Sequence, residues 1–351
     1  MVNYKKFFWI TLVISLISAI ALILFTTDSS TIEALTQIRP EYILLAFLFQ
    51  ILTYLITARK SKFLARSLGY EVRTRTMLEN VLTGILLASL TPAAVGGEPL
   101  RILLLNKKSG VPVGKSTAII FMERFLDTFF IFLCIVPSIF VLHGTLAGSG
   151  ENANVLGLDT LLLIGMIMLF LILGVLLYGI FRPSAAKTGI RRFLIFVSKI
   201  APEKYHPQIN LWIVSSENEV DLFHSSFERF VSAGKISFLV SVFYTFLYWA
   251  VRFTILWLIL AGLNIHPTTP EILLLYASQV VLAIIMVVPA TPGASGIAEI
   301  GAFSLFSLFV PAPLVGIAVI AWRAITYYVN IIAGSIAGLK VVRQYDTNGK
   351  H

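Results

Sequence analysis

Long apolar runs alternate with short polar or basic stretches along almost the whole chain. The clearest runs occupy residues 7–25, 42–57, 117–142, 160–181, 237–263 and 314–339. A helix needs about 20 apolar residues to cross ~30 Å of hydrocarbon. Each run therefore predicts a membrane-spanning helix, and together they predict an all-α polytopic bundle forming one domain, 1–351. The first run follows Lys5 and Lys6 and is too long for a signal-peptide core. The "TTDSS" behind it offers no small-residue cleavage site, so it reads as a retained first span.

The polar stretches set an orientation. Residues 58–76 carry Arg59, Lys60, Lys62, Arg66, Arg73 and Arg75 against Glu71 alone. Residues 182–235 carry eight basic residues, and the tail has Lys340, Arg343 and Lys350. Between them, 26–41, 143–159 and 264–271 hold one basic residue, Arg39. The positive-inside rule makes the first group cytoplasmic and the second external, with both termini cytoplasmic in a cell membrane. Within 182–235, residues 208–232 place Val220, Phe223, Phe227 and Phe230 at helical spacing, predicting an amphipathic helix that lies on the membrane or covers the bundle.

One segment breaks the alternation. Residues 101–115, with Arg101, Lys107, Lys108 and Lys115, read as cytoplasmic like 58–76. The apolar stretch between them must enter and return on one side, and it contains "TPAAVGGEPLR" (91–101). This predicts a re-entrant hairpin broken at Pro92, Gly96 and Gly97; non-helical backbone is tolerated at that depth only where protein or a polar cavity covers it. The same parity argument makes 272–310 a second hairpin, opened from the external side and broken at "TPGASGIAE" (291–299), with Pro292, Gly293 and Gly296. The two breaks share a layout. Pro92 precedes Glu98 by six residues and Arg124 by thirty-two; Pro292 precedes Glu299 by seven and Arg323 by thirty-one. Two plain loops would match this way only by chance. The pattern predicts an internal repeat, about 77–142 and about 272–339, of opposite sense in the membrane. Inverted repeats with broken helices are a mark of alternating-access carriers, with the substrate site where the breaks meet.

Ionisable groups at depth are costly and usually functional. Those within or beside the spans are Glu98, Arg101, Glu123, Arg124, Asp127, Arg252, Glu299 and Arg323. Glu123 and Asp127 share a helix face, and Arg124 can pair with Asp127; a bland reading makes these self-neutralising groups near the cytoplasmic end of their helix. Arg124 and Arg323 each have a repeat-related carboxylate, Glu98 or Glu299. A guanidinium at a cavity mouth is a natural bidentate partner for a phosphate. Arg252 must face the interior, and the sequence names no partner for it.

Composition removes other classes. The chain is 57% hydrophobic and 13% charged, far from a soluble domain. Its net charge of +9 sits mostly in loops beside spans, where lipid and insertion account for it better than nucleic acid. Cys134 is alone, and the five histidines have no metal-ligand spacing. "GASG" (293–296) has the form of an intramembrane protease motif but lacks a suitably placed histidine. No Walker loop, zinc motif or acidic prenyl-diphosphate motif occurs, so no cofactor or metal is expected.

"GGEPLR" (96–101), "GVPVGKSTAIIFMERFLD" (110–127), "PGASGIAE" (292–299) and the arginine of "IAWR" (320–323) resemble the flippase-like membrane domain of lysylphosphatidylglycerol synthases, over almost the whole chain. The resemblance implies movement of a modified phospholipid between leaflets. It carries over Glu98, Arg101, Glu123, Arg124, Asp127, Glu299 and Arg323 as the polar centre. One departure is Ala94, where that family often has a basic residue. The soluble aminoacyl-transferring part lies C-terminal in those synthases, so the synthase reaction is expected to be absent. The expected function is a lipid translocase-like carrier for an anionic phospholipid or a polyprenyl phosphate, with membrane lipid as substrate. The alternative is a membrane enzyme, or an accessory subunit partnered by a lipid-modifying enzyme.

Overall fold

The first described helix, α1 (Pro40–Ser67), is amphipathic in the inverse sense of a soluble helix. Gln50, Thr53, Thr57, Lys60 and Ser61 recur every three or four residues and are buried, whereas Leu44, Leu48, Leu52 and Leu55 face outward. In hydrocarbon the outward face must be apolar, and the polar groups find partners only inside. The same holds elsewhere: Val136, Phe140, Ile236, Phe243, Ile332 and Ile336 are all exposed.

These features come from a computed structural model that describes residues 36–91, 96–148, 158–200, 206–232, 234–287 and 294–348. The described residues are helical, with no strand among them, and the chain is an all-α polytopic membrane protein. After α1 come α2 (Thr74–Leu90), α3 (Gly97–Ser109), α4 (Val113–Gly148), α5 (Leu158–Phe181), α6 (Pro183–Ile200), α7 (His206–Val231), α8 (Lys235–Gly262), α9 (Thr269–Ile285), α10 (Ile297–Phe306), α11 (Ala312–Arg323) and α12 (Val329–Asn348). A π-helical turn, Ala324–Tyr328, joins α11 to α12. Among the described residues, Pro40–Ser67, Val113–Leu142, Lys235–Gly262 and Ala312–Gln344 are long and apolar enough to cross a membrane. Helix α5, of 24 residues, takes the expected span at 160–181. The expected span at 7–25 and the break residues Pro92, Pro292 and Gly293 lie outside the described residues.

The basic stretch 58–76 begins inside a helix, not in a loop. Helix α1 continues through Ser67 and stops only at Gly69, whose φ of +88° suits glycine. Lys60 is therefore part of the bundle interior, not of a loop.

Helices α2 and α3 form an antiparallel hairpin. Asn80 donates to the Arg101 carbonyl (2.7 Å), Lys108 reaches Glu79 (3.0 Å), and Gly97 lies against Ala88. The last helix runs alongside it: Lys340 pairs with Glu79 at the hairpin base, Gly334 lies on Leu82 and Leu86, and Tyr327 donates to the Ser89 carbonyl (3.2 Å) beside the tip. Helices α9 and α10 pack together as a second pair, with Gly301 against Leu282 and Ile285. Its entry follows the end of the bundle where Arg39 bonds the Gly262 carbonyl and Asn264 bonds the Gln37 carbonyl. Lys340, Glu79 and Lys108 mark the opposite end. Thr268 and Glu271 form a capping box there, and hydrogen bonds from the Thr268 amide and then its hydroxyl hold the Glu271 carboxyl below its ordinary range. The second break is strained: Ala294 has φ +52° and Gly296 φ +90°.

Of the expected amphipathic stretch, α7 turns Phe227 and Phe230 into a core with Phe121 and Phe238, so this helix covers the bundle. Helix α6 leans on it through Lys187 and Asp221 (2.6 Å).

Candidate functional site

Among the described residues, three polar centres interrupt the apolar interior. The largest lies where α1, α2, α3 and α4 meet. Arg101 sends Nη1 and Nη2 to the two oxygens of Glu123, at 2.7 and 2.8 Å, and Glu123 is fully buried. Ser61 donates to the same carboxylate and accepts from Arg101 (3.1 Å), while Arg101 Nε donates to Asn80 (3.1 Å). Close approach of the hairpin makes this reach possible: a Cβ at Gly84 would lie 2.4 Å from the Arg101 side chain. Lys60 Nζ bonds Asp127 Oδ1 at 2.7 Å and stands 5.5 Å from the Tyr248 ring centroid. Arg124 reaches Glu123 (2.7 Å), Asp127 (3.4 Å) and, more distantly, Glu98 (3.9 Å). Its side chain is 45% exposed, whereas those of Lys60 and Arg101 are 1% and 6% exposed. Lys60, Arg101 and Arg124 thus face two enclosed carboxylates, with Glu98 at the open edge.

The second centre lies at the other break. Arg323 Nε donates to Glu299 Oε1 (2.9 Å), its Nη2 reaches Ser295 (3.2 Å), and its guanidinium lies 4.1 Å from the Tyr327 ring centroid. Glu299 Oε2 also accepts from the Gly296 amide (2.7 Å) at the start of α10, a place where a carboxylate complements the helix dipole. Tyr327, bonded to Ser89, ties this centre to the tip of the first hairpin.

The third centre lies between α1, α8 and α12. Tyr54 and Gln50 both donate to Asn330 Oδ1, and Arg252 Nη1 donates to Gln50 Oε1 (3.1 Å).

The structure brings Glu98, Arg101, Glu123, Arg124 and Asp127 into one cluster and places Glu299 and Arg323 in another. Arg124 pairs with Glu98 and with Asp127, as expected, and adds Glu123 as its closest partner, on the adjoining position of α4. The self-neutralising reading of Glu123 changes, since its main partner comes from another helix, α3. Gly96 caps α3 and Gly97 is its first residue. Sequence reading missed Lys60, Ser61, Asn80, Gln50 and Asn330. The polar stripe at 50, 53, 57 and 60–61 carried the signal for the α1 members. Among the described residues, no group of His, Cys, Asp and Glu is arranged to hold a metal ion.

A sequence model of the family described as "Lysylphosphatidylglycerol synthase TM region" matches residues 8–334. The chain belongs to this family. The family region thus takes in all three polar centres. Curated relatives of this lysylphosphatidylglycerol synthase membrane region carry only a general name, "UPF0104 membrane protein". One from Archaeoglobus fulgidus is 29% identical, aligned over 91% of this chain and 93% of its own. One from Methanocaldococcus jannaschii is 24% identical, over 96% of each chain.

Proposed function

We propose that the protein is a carrier that moves a phosphate-bearing lipid, such as an anionic phospholipid or a polyprenyl phosphate, between the leaflets of the cell membrane. The observation that carries this reading is the meeting of the two broken hairpins. The Tyr327 hydroxyl bonds the Ser89 carbonyl beside one break, while Arg323, stacked on the same ring, bonds Ser295 at the other. Each returning helix puts a glutamate in its first turn, Glu98 or Glu299, near an arginine of the next helix, Arg124 or Arg323. This supports an inverted repeat and alternating exposure of the polar interior. Arg124 is the phosphate-binding guanidinium, since it is the open one. Arg323 serves as architecture, committed to Glu299 and Ser295. Both termini and the Lys108–Glu79–Lys340 end face the cytoplasm in this reading. The sequence holds no nucleotide-binding motif, so movement is downhill or driven by an ion gradient or the membrane potential.

The test is leaflet exchange of a labelled anionic phospholipid in proteoliposomes of the purified protein. Exchange above protein-free vesicles, lost on Arg124→Ala at equal reconstitution, is the expected result. Chemical turnover of the headgroup without exchange would replace the carrier by the enzyme reading, and no exchange of any phosphate-bearing lipid would remove it.

A further inference from the structure

Five cations lie in the polar interior of the described residues: Lys60, Arg101, Arg124, Arg252 and Arg323. Four have a carboxylate within salt-bridge distance: Asp127 for Lys60, Glu123 for Arg101, Glu123 and Asp127 for Arg124, and Glu299 for Arg323. Arg252 has none among the described residues. Its hydrogen-bond partner is the neutral amide of Gln50, at 3.1 Å.

That amide is held in place. Gln50 is 1% exposed, and its Nε2 donates to Asn330 Oδ1 (2.9 Å). Asn330 anchors its own Nδ2 on the Thr326 carbonyl (2.7 Å) and also receives the Tyr54 hydroxyl. The chain of donors leaves Gln50 only its carbonyl oxygen for Arg252, so one N–H of the guanidinium is fixed. An arginine carries five N–H donors. A full charge kept at membrane depth is expensive, and such residues mark ligand pathways. Among the described residues Arg252 is only partly buried.

Lys60 relates this group to the cluster at Arg124. The Lys60 ammonium is bonded to Asp127, which Arg124 also reaches (3.4 Å). Tyr248, one turn before Arg252 on α8, has Lys60 near its ring face. Resting on the carrier reading above, we propose that Arg252, positioned by Gln50 and Asn330, is a second binding station for the monoanionic phosphate of the transported lipid. The phosphate would meet Arg124 nearer the basic end of the bundle and Arg252 further on, one turn of α8 beyond Tyr248. With no carboxylate beside it among the described residues, such a station gains a counter-ion when cargo is present.

The experiment measures retention of short-chain fluorescent phosphatidylglycerol by the full chain in phosphatidylcholine nanodiscs, with fluorescent phosphatidylcholine as the comparison and inorganic phosphate as a competitor. Arg252→Gln is expected to weaken phosphatidylglycerol retention about tenfold, the scale of one charge-assisted hydrogen bond, with phosphatidylcholine unchanged. Gln50→Glu keeps the arginine and supplies an internal carboxylate, while losing the donor to Asn330 Oδ1. It should weaken phosphatidylglycerol retention as well, so a poorly folded Arg252→Gln would still leave a decisive variant. Inorganic phosphate failing to compete identifies a lipid headgroup as the source, and competition at millimolar concentration identifies a free phosphate bound at the same station. Wild-type retention in folded Arg252→Gln, or in Gln50→Glu, overturns the station. If Arg124→Lys loses retention while the Arg252 variant keeps it, the carrier reading stands and only this inference falls. If both keep it, the phosphate-clamp basis of the carrier reading falls too.

Discussion

Arg101 grips Glu123 through two parallel hydrogen bonds of 2.7 and 2.8 Å, fastening the returning half of the first hairpin to the helix that follows it. Neither group can turn to water, so each stands or falls with the other. Truncating one partner of a buried pair costs about 3–5 kcal/mol, because a lone charge remains. Arg101→Ala and Glu123→Ala are therefore expected to lower thermal stability in detergent sharply. The double change Arg101→Met with Glu123→Met should lie closer to wild type than either single alanine, since it removes both charges and retains volume. Additive losses in the double variant would show that the pair is not the unit.

The arginines at the two breaks should answer lysine substitution in opposite ways. Arg323 uses Nε for Glu299, Nη2 for Ser295 and its flat face for Tyr327. An ammonium is a point charge and cannot do all three. Arg323→Lys should lower Tm while leaving lipid retention per folded molecule unchanged. Arg124 is half-exposed and a lysine keeps its charge beside Glu123 and Asp127, so Arg124→Lys should lower Tm less than Arg323→Lys does. It should nonetheless lose much of its retention of an anionic lipid, since the bidentate geometry is gone. Wild-type retention by Arg124→Lys would sink the clamp.

Much of the architecture was legible because hydrocarbon makes two demands that sequence displays: runs of about 20 apolar residues, and basic residues on one side. The four described long spans and α5 follow the apolar runs. The parity of charged loops pointed to the hairpin that Asn80–Arg101 and Glu79–Lys108 now close. Lys60 shows where that logic ends. A lysine beside Arg59 and Lys62 looks like one more basic loop residue, and only its register with Gln50, Thr53 and Thr57 gives it away. The Arg101–Glu123 pair was out of reach for another reason. Which carboxylate a buried arginine takes depends on side-chain geometry between helices, and three acids competed for it. Asn330 and Asn80 left no pattern, since a single amide in a helix says nothing of what it faces.

The ends of the bundle give a topology prediction. Arg66 and Lys107 are exposed at the end marked by Glu79 and Lys340, and His266 is exposed at the other. With Cys134 replaced by Ala, single cysteines at Arg66 and Lys107 should react with a membrane-impermeant maleimide from the same face of sealed vesicles, the cytoplasmic one. A cysteine at His266 should react only from the opposite face. Labelling of the Arg66 and Lys107 positions from different faces would make 74–109 a full crossing and remove the re-entrant hairpin.

Gly84 tests whether close helix approach or charge positions Arg101. A Cβ there would lie 2.4 Å from Cγ and Cδ of Arg101, and Gly97 is equally crowded, with its added Cβ 2.8 Å from the Gly84 carbonyl oxygen. Small residues let membrane helices pack this tightly, without a gain from expelling water. Gly84→Ala must push the arginine stem aside, and the stem cannot move without dragging its guanidinium off Glu123. Overpacking alone costs about 1–3 kcal/mol; a strained ion pair adds to it. The expected result is a loss in Tm for Gly84→Ala that is clearly smaller in the Arg101→Met, Glu123→Met background, where a flexible thioether can yield and no charge is displaced. Sites in contact couple in this way, and distant ones do not. An equal loss in both backgrounds would mean that Gly84 serves only the backbone approach of α2 and α3, with the Arg101–Glu123 pair placed independently of it.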